Sequence, residues 1–247
     1  MKSFFTTKNQ TRARRYFAYT RRIYRGLASV VLPLDFGGLT ANKSHKTAFV
    51  EIWLDDVYCL RELINTKVGC VVDIGANIGL FSVLACRLFP EAVVYAYDPV
   101  EQLEHWRALT KRHPNLTFLN LPVSNKNEKV LLNKCNDDVL GVVVPNSEGV
   151  SCIPFNDIEP INRGDIVDFL KIDCEGFEWR ILLDPSFPWR QIRTLAIEYH
   201  LWALDADYEG LIRVLFEKNF VITYEENSGE YGILVAKSAL LANEGVR

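Results

Sequence analysis

The chain has 247 residues, 49% hydrophobic and 24% charged, enough to bury one α/β domain with an appendage and too few for two full domains. Its net charge of −3 conceals an asymmetry: Lys2, Lys8, Arg12, Arg14, Arg15, Arg21, Arg22 and Arg25 all precede the first acidic residue, Asp35. Six cysteines without a C-x-x-C pair argue against a zinc site and for a reducing, cytoplasmic compartment, and no apolar run approaches the ~20 residues that cross a bilayer.

Residues 1–42 read as a basic, helical arm, because Tyr16, Phe17, Tyr19, Ile23, Tyr24 and Leu27 recur among its arginines. Such an arm packs on the domain, or makes a peripheral contact with a membrane or another anionic surface. The long basic stretch without a small-residue cleavage pattern disfavours a secretory signal, and a transit peptide fits no better than an ordered helix. Pro33, Gly37 and Gly38 punctuate the chain and place the start of the main domain, residues 43–247, near Lys43. Helical spacing resumes over Lys46–Ile64 through Phe49, Ile52, Trp53, Val57 and Leu60.

Val71–Phe81 then predicts a buried strand running through a glycine turn into a helix, with Gly75 and Gly79 allowing a tight turn and close approach of backbone to a ligand. A dinucleotide fingerprint would place a glycine where Asn77 stands, which argues against a pyrophosphate. Asp73 would repel phosphate but complements a cofactor carrying an ammonium and a sulfonium, so charge favours S-adenosylmethionine, with Gly75, Ala76, Asn77 and Gly79 beside it. Asp98 ends the next apolar run, roughly 20 residues after the turn, the position of an acidic ribose ligand. The bland alternative makes Asp73 a turn former and Asp98 a helix cap. For the adenine, the segment Leu121–Ser124 is the candidate.

The βαβ rhythm continues as helix Ile78–Phe89, strand Ala92–Tyr97, helix Glu101–His113 and strand Leu116–Leu121, implying a parallel sheet with right-handed crossovers. Between Val123 and Gly164 the short runs Val130–Leu132, Val139–Val144 and Val150–Ile153 read as an antiparallel insertion. Strand Val167–Ile172, helix Glu175–Leu182, strand Thr194–Tyr199, helix Tyr208–Lys218 and the pair Val221–Tyr224 and Tyr231–Ala236 complete the pattern.

Asp168–Glu178 is too charged for ordinary core. Lys171, Asp173 and Glu175 share one face while the strand stays extended, and Glu178 follows on the next helix. Ionisable groups at the carboxyl end of a central strand demand pairing or function, and ligands bind at that end.

With these segments in view, the chain resembles the FkbM family of S-adenosylmethionine-dependent methyltransferases. The matching motifs are Val71–Ser82 (VVDIGANIGLFS), Val94–Pro99 (VYAYDP), Phe155–Ile158 (FNDI), Asp168–Glu178 (DFLKIDCEGFE) and Ile197–His200 (IEYH), spread from about Phe49 to Ala236. Asp98 stands where the family commonly has Glu, which shortens the reach to the ribose, and Asp184 replaces a glycine often found after the Glu178 helix. The resemblance implies a Rossmann-like class I fold with seven strands, mostly parallel, a terminal antiparallel strand, and methyl transfer mostly to hydroxyl oxygen of saccharides, polyketides or related metabolites.

A hydroxyl acceptor must lose its proton, and the candidate bases are Asp173, Glu175, Glu198 and His200, with Asp173 or Glu175 leading and Lys171 orienting the carboxylates. The competing reading of the cluster is a structural Lys–carboxylate network at the strand end. No dedicated metal spacing is visible, although Asp173, Glu175 and Glu198 offer the hard oxygens that suit magnesium. Competing functions are an NAD-dependent oxidoreductase, an RNA-binding or RNA-modifying protein using the arm, and a catalytically silent cofactor-binding scaffold. The acidic body disfavours nucleic acid, leaving a small-molecule or glycan acceptor as the expected partner.

Overall fold

The computed structural model describes residues 43–99, 103–135, 139–145 and 149–241. The expectations for the basic arm, residues 1–42, lie outside the described residues, as does the start of the helix expected from Glu101. Among the described residues no helix is long and apolar enough to cross a membrane.

Helix α1 (Lys43–Phe49) widens into a π-helical turn, Val50–Asp55, and a 3-10 turn follows at Leu60–Leu63. The single helix expected over Lys46–Ile64 is thus broken. Asp56 (φ 52°) and Cys59 (φ 55°) both adopt the left-handed conformation, and the Asp56 carboxylate accepts the Leu60 and Arg61 N–H groups at 3.2 and 3.1 Å.

Beyond this segment come β1 (Cys70–Ile74), α2 (Leu80–Leu88), β2 (Val93–Tyr97), α3 (Leu103–Arg112) and β3 (Leu116–Leu119). The insertion carries β4 (Val123–Ser124), β5 (Lys129–Cys135), β6 (Val139–Pro145), β7 (Val150–Ser151) and β8 (Ile153–Pro154), and a short α4 (Glu159–Asn162) follows. The chain returns to the sheet with β9 (Phe169–Ile172), α5 (Glu178–Leu182), β10 (Thr194–His200), α6 (Tyr208–Glu217), β11 (Phe220–Asn227) and β12 (Tyr231–Ser238). The strand order is β11-β12-β10-β9-β1-β2-β3, with β12 antiparallel to both neighbours and the pairs from β10 through β3 parallel. This is the seven-stranded class I methyltransferase architecture expected from the motifs. In the insertion β5 pairs antiparallel with β6 and β7, while β4 and β8 pair in parallel and close its base.

Period-two alternation divides the core between the two faces of the sheet. Val71, Val94, Ala96, Phe169 and Ala196 face α2, α3 and the segment before β1, whereas Val72, Ile74, Leu170, Ile172, Leu195 and Ile197 pack with Trp179, Leu182 and Leu211 on the other side. Asp168, the first charge of the DFLKIDCEGFE run, sits at the opposite end of the sheet from the site. It accepts the Gly69 and Cys70 N–H groups at 2.6 and 3.1 Å and pairs with Arg193 at 3.2 Å, tying β1 to the strands beside it.

Trp106 on α3 fixes the glycine turn to this framework. Its ring stacks on Phe118 at 3.9 Å, its indole N–H donates to Asn77 O at 3.1 Å, and a Cβ at Gly79 would lie 2.9 Å from it. Trp106→Ala is expected to lower unfolding free energy by about 3–5 kcal/mol, the usual range for deleting a buried aromatic, as read by urea denaturation.

Candidate active site

A cavity of about 390 Å³ opens at the carboxyl ends of β1, β9 and β10. Its floor is the turn Gly75–Ile78 with Lys171, Asp173, Glu175 and Glu198; one wall is the segment Ser44–Tyr58, and the other is the β11–β12 hairpin, from Glu226 to Ile233.

The turn has its shape for steric reasons. Gly75 (φ 75°) crosses so close to the end of β9 that a Cβ there would lie 1.6 Å from Asp173 O, which excludes any other residue. Asn77 adopts φ 48° and turns its N–H to Asp98 Oδ2 at 2.8 Å.

Parallel register places Asp73, Lys171 and Ala196 side by side, with Asp173 and Glu198 two residues further on. Lys171 is buried and donates to Gly75 O at 2.7 Å, lies 3.2 Å from Asp73 Oδ1 and 3.3 Å from Asp173 Oδ2, and faces the Tyr58 ring at 5.7 Å. Burial opposes its charge, but Asp73, Asp173 and Glu198 outweigh that penalty and raise its pKa. Asp73 is itself fully buried and accepts the Ser82 hydroxyl at 2.6 Å. Its carboxylate, expected to meet the cofactor's ammonium, lies beneath the turn and is paired with the Lys171 ammonium.

Asp98 ends β2 at the neighbouring tip. Its Oδ1 is buried with no hydrogen-bond partner among the described residues, and burial pushes the carboxyl up to about 7, against the pull of the Asn77 N–H and Lys171. An unpaired buried acceptor costs about 1–3 kcal/mol, which a hydroxyl-bearing ligand would recover. The Ser124 hydroxyl, in the segment considered for adenine, is buried and donates to Glu128 at 2.6 Å.

The tip of β9 does not continue into a helix at Glu175. Glu175 (φ 54°) and Gly176 (φ 100°) are left-handed, and α5 begins at Glu178. A Cβ on Gly176 would lie 2.9 Å from Ala203, so this loop passes tightly under the one after β10. Glu178 is fully buried and organises both loops: it accepts the Gly176 N–H at 2.8 Å, the His200 N–H at 2.8 Å and faces His200 Nδ1 at 2.9 Å. His200 Nε2 faces Glu175 at 3.5 Å. Burial lowers the proton affinity of His200, but the Glu178 hydrogen bond and three carboxylates raise its pKa to about 9, so the ring carries a proton at neutral pH. Both ring nitrogens of His200, a candidate base in the sequence, are turned to carboxylates, Nδ1 to Glu178 and Nε2 to Glu175. Asp173, Glu175 and His200 come within 4.8 Å of one another, close enough to share a cation, and Lys171 supplies positive charge there.

Two carboxylates on the cavity floor resist ionisation. Burial and the Asp173 charge push Glu175 up to about 7 and Glu198 up to about 8. Glu198 Oε2 accepts the hydroxyl of Tyr58 at 2.7 Å. Nothing in the sequence pattern singles out Tyr58. Asp56 and Cys59 on either side of it hold a backbone conformation that costs non-glycine residues about 1–3 kcal/mol each, a conformation the hydropathy pattern does not encode.

The methyltransferase FkbM domain model matches residues 73–222. Among curated proteins, a 63-residue stretch is 36% identical to the AMB antimetabolite synthetase AmbE of Pseudomonas aeruginosa, a match covering 26% of this chain and only 3% of the length of that relative. Among solved structures, magnesium protoporphyrin IX methyltransferase from Synechocystis PCC 6803 with bound S-adenosylhomocysteine aligns at TM-score 0.50 and 12% identity, over 90% of this chain and 99% of the other. TrmK of M. capricolum in complex with the same product aligns at TM-score 0.44 and 13% identity, over 74% and 68%. At 12% identity the likeness to the Synechocystis enzyme speaks to the fold alone.

Removing Lys171 leaves Asp73 buried without its cation, so Lys171→Met is expected to destabilise the protein by about 3–5 kcal/mol, and the double variant with Asp73→Asn to recover part of the loss. Equal unfolding free energies for the single and double variants would contradict the pairing. Glu178→Ala is expected to cost a similar amount, about 3–5 kcal/mol, because it leaves the His200 charge and two N–H donors buried without an acceptor.

Proposed function

Since the chain belongs to the FkbM methyltransferase family and is an S-adenosylmethionine-dependent methyltransferase, we propose that the group it methylates is a hydroxyl on a saccharide, glycan or secondary metabolite. The observation that carries this reading is the set of lining carboxylates, Asp173, Glu175 and Glu198, beside the glycine turn. An alcohol, far less acidic than an alkylammonium, needs a positioned acceptor for its proton, and Glu175 and Glu198, whose proton affinity burial raises, provide one.

The residues around the turn fit the donor. Gly75, Ala76 and Asn77 line the cavity, and Asp98, bonded to the Asn77 N–H behind them, keeps Oδ1 without a partner among the described residues, an oxygen a ribose hydroxyl would satisfy. Once bound, the donor supplies an electrophilic methyl group on a sulfonium. The chain's own contribution is to align acceptor and donor in the cleft, to exclude water and to remove a proton. Asp173 is held by Lys171 and Glu175 by His200, so both stay in place, while Glu198 is held by the Tyr58 hydroxyl. The carboxylate-rich floor favours neutral or cationic acceptors over phosphorylated ones.

Incubation of the protein with methyl-labelled donor and a panel of neutral saccharides, amino sugars, sugar phosphates and RNA is expected to place label in an alkali-stable ether on a neutral or amino sugar. Label appearing in RNA would overturn the saccharide or metabolite acceptor, and label only on nitrogen would overturn the hydroxyl. Affinity for S-adenosylmethionine is expected to fall as pH drops through about 7, because protonation of Asp98 removes acceptor capacity for the ribose. Calorimetric titration between pH 6 and 8 checks this, and Asp98→Asn should bind more weakly with a flatter pH dependence.

A further inference from the structure

We propose that Tyr58 is a positioning residue of the methyl-transfer site: its hydroxyl holds Glu198 in place as the proton acceptor, engaging Oε2 and leaving Oε1 for the acceptor's proton. The inference rests on the hydroxyl-acceptor reading above and adds a residue outside the part of the chain that the family model matches, residues 73–222.

Three observations converge. Tyr58 is buried and lines the cavity on the wall opposite Lys171, with its ring edge-on to Phe81 at 5.7 Å. Its hydroxyl donates to Glu198 Oε2 at 2.7 Å, and among the described residues Oε1 accepts no hydrogen bond. Left-handed Asp56 and Cys59 flank it, and the bonds from Leu60 and Arg61 to Asp56, with the Arg61–Asp56 ion pair at 3.4 Å, hold the chain in that bend. Backbone strain kept on both sides of one side chain, and aimed at an ionisable group in a cleft, is the pattern expected where geometry serves chemistry.

Comparison with the other floor carboxylates separates their roles. Asp173 lies 3.3 Å from the Lys171 ammonium, and Glu175 lies 3.5 Å from the His200 ring, so each already has a cationic partner. Glu198 meets a neutral donor at hydrogen-bond distance. Burial and Asp173 push its carboxyl up to about 8, while the Tyr58 hydrogen bond, His200 and Lys171 pull the other way. A carboxylate so placed accepts a proton readily. In the transfer this implies, the acceptor oxygen bonds to the methyl carbon, the methyl–sulfur bond breaks with its electron pair passing to sulfur, and the hydroxyl proton passes to Glu198 Oε1.

The test uses the full chain and two readouts. With carboxyl-¹³C glutamate and S-adenosylhomocysteine bound, Glu198→Gln identifies the Glu198 resonance, and in Tyr58→Phe its titration midpoint should rise by about one pH unit, because a donor to the ionised form is lost. With an acceptor found in the panel above, Tyr58→Phe should lower kcat at least about tenfold near neutral pH, shift the acid limb of the kcat profile upward, and leave KM for the donor within about twofold. A folded Tyr58→Phe protein that binds S-adenosylhomocysteine normally but shows an unmoved or lowered Glu198 midpoint overturns the proposal, as does an unchanged kcat profile. If the wild-type protein methylates no hydroxyl compound, the hydroxyl reading fails, and the carboxyl titration still decides the Tyr58–Glu198 pairing.

Discussion

The active end of this sheet depends on one buried ammonium. Lys171 reaches across the junction of β1 and β9 to Asp73, Asp173 and the carbonyl of Gly75, so a single cation binds the tips of two strands and the first residue of the glycine turn. Several carboxylates crowd this end, and carboxylates cannot be buried together in ionised form without a counter-charge. The cation therefore sets both the architecture and the electrostatics: it fixes where the turn begins, and its charge is shared among groups that would otherwise repel one another.

Glu178 has the complementary role on the other side of β9. It gathers the Gly176 and His200 N–H groups and the His200 ring, and so clamps the loop after β9 to the end of β10. The acids of the site consequently divide into two sorts. Asp73 and Glu178 are fully buried and committed to internal partners, whereas Asp98, Glu175 and Glu198 are pushed toward neutral pH by burial. Structural acids build the cleft, and the acids of raised pKa are those left to meet ligands.

The cleft is assembled from two parts of the chain. Its floor comes from the strands and turn within the family-matched segment, residues 73–222, while its walls come from the chain on either side, Ser44–Tyr58 and Glu226–Ile233. The π-helical turn over Val50–Asp55 and the break at Asp56 and Cys59 lie in and beside the first of these walls.

Local pattern in the sequence determined the sheet, its parallel core and the glycine turn, because alternating apolar runs and the steric demand at Gly75 are written in neighbouring residues. The same holds for the charged character of Lys171, Asp173, Glu175 and Glu198, since ionisable groups at a strand end stand out against core composition. Tertiary structure alone decided how these groups pair. Asp73 turned inward to Lys171 because register sets them side by side, His200 became the backing of Glu175 because Glu178 arrives beneath it, and α5 started late because Gly176 must pass under Ala203. Tyr58 meets Glu198 across 140 positions of chain, through a bend stabilised by side-chain bonds to Asp56. Periodicity reports which face a residue occupies; it carries no information about which distant partner a buried charge or hydroxyl will find, since that choice is made by packing.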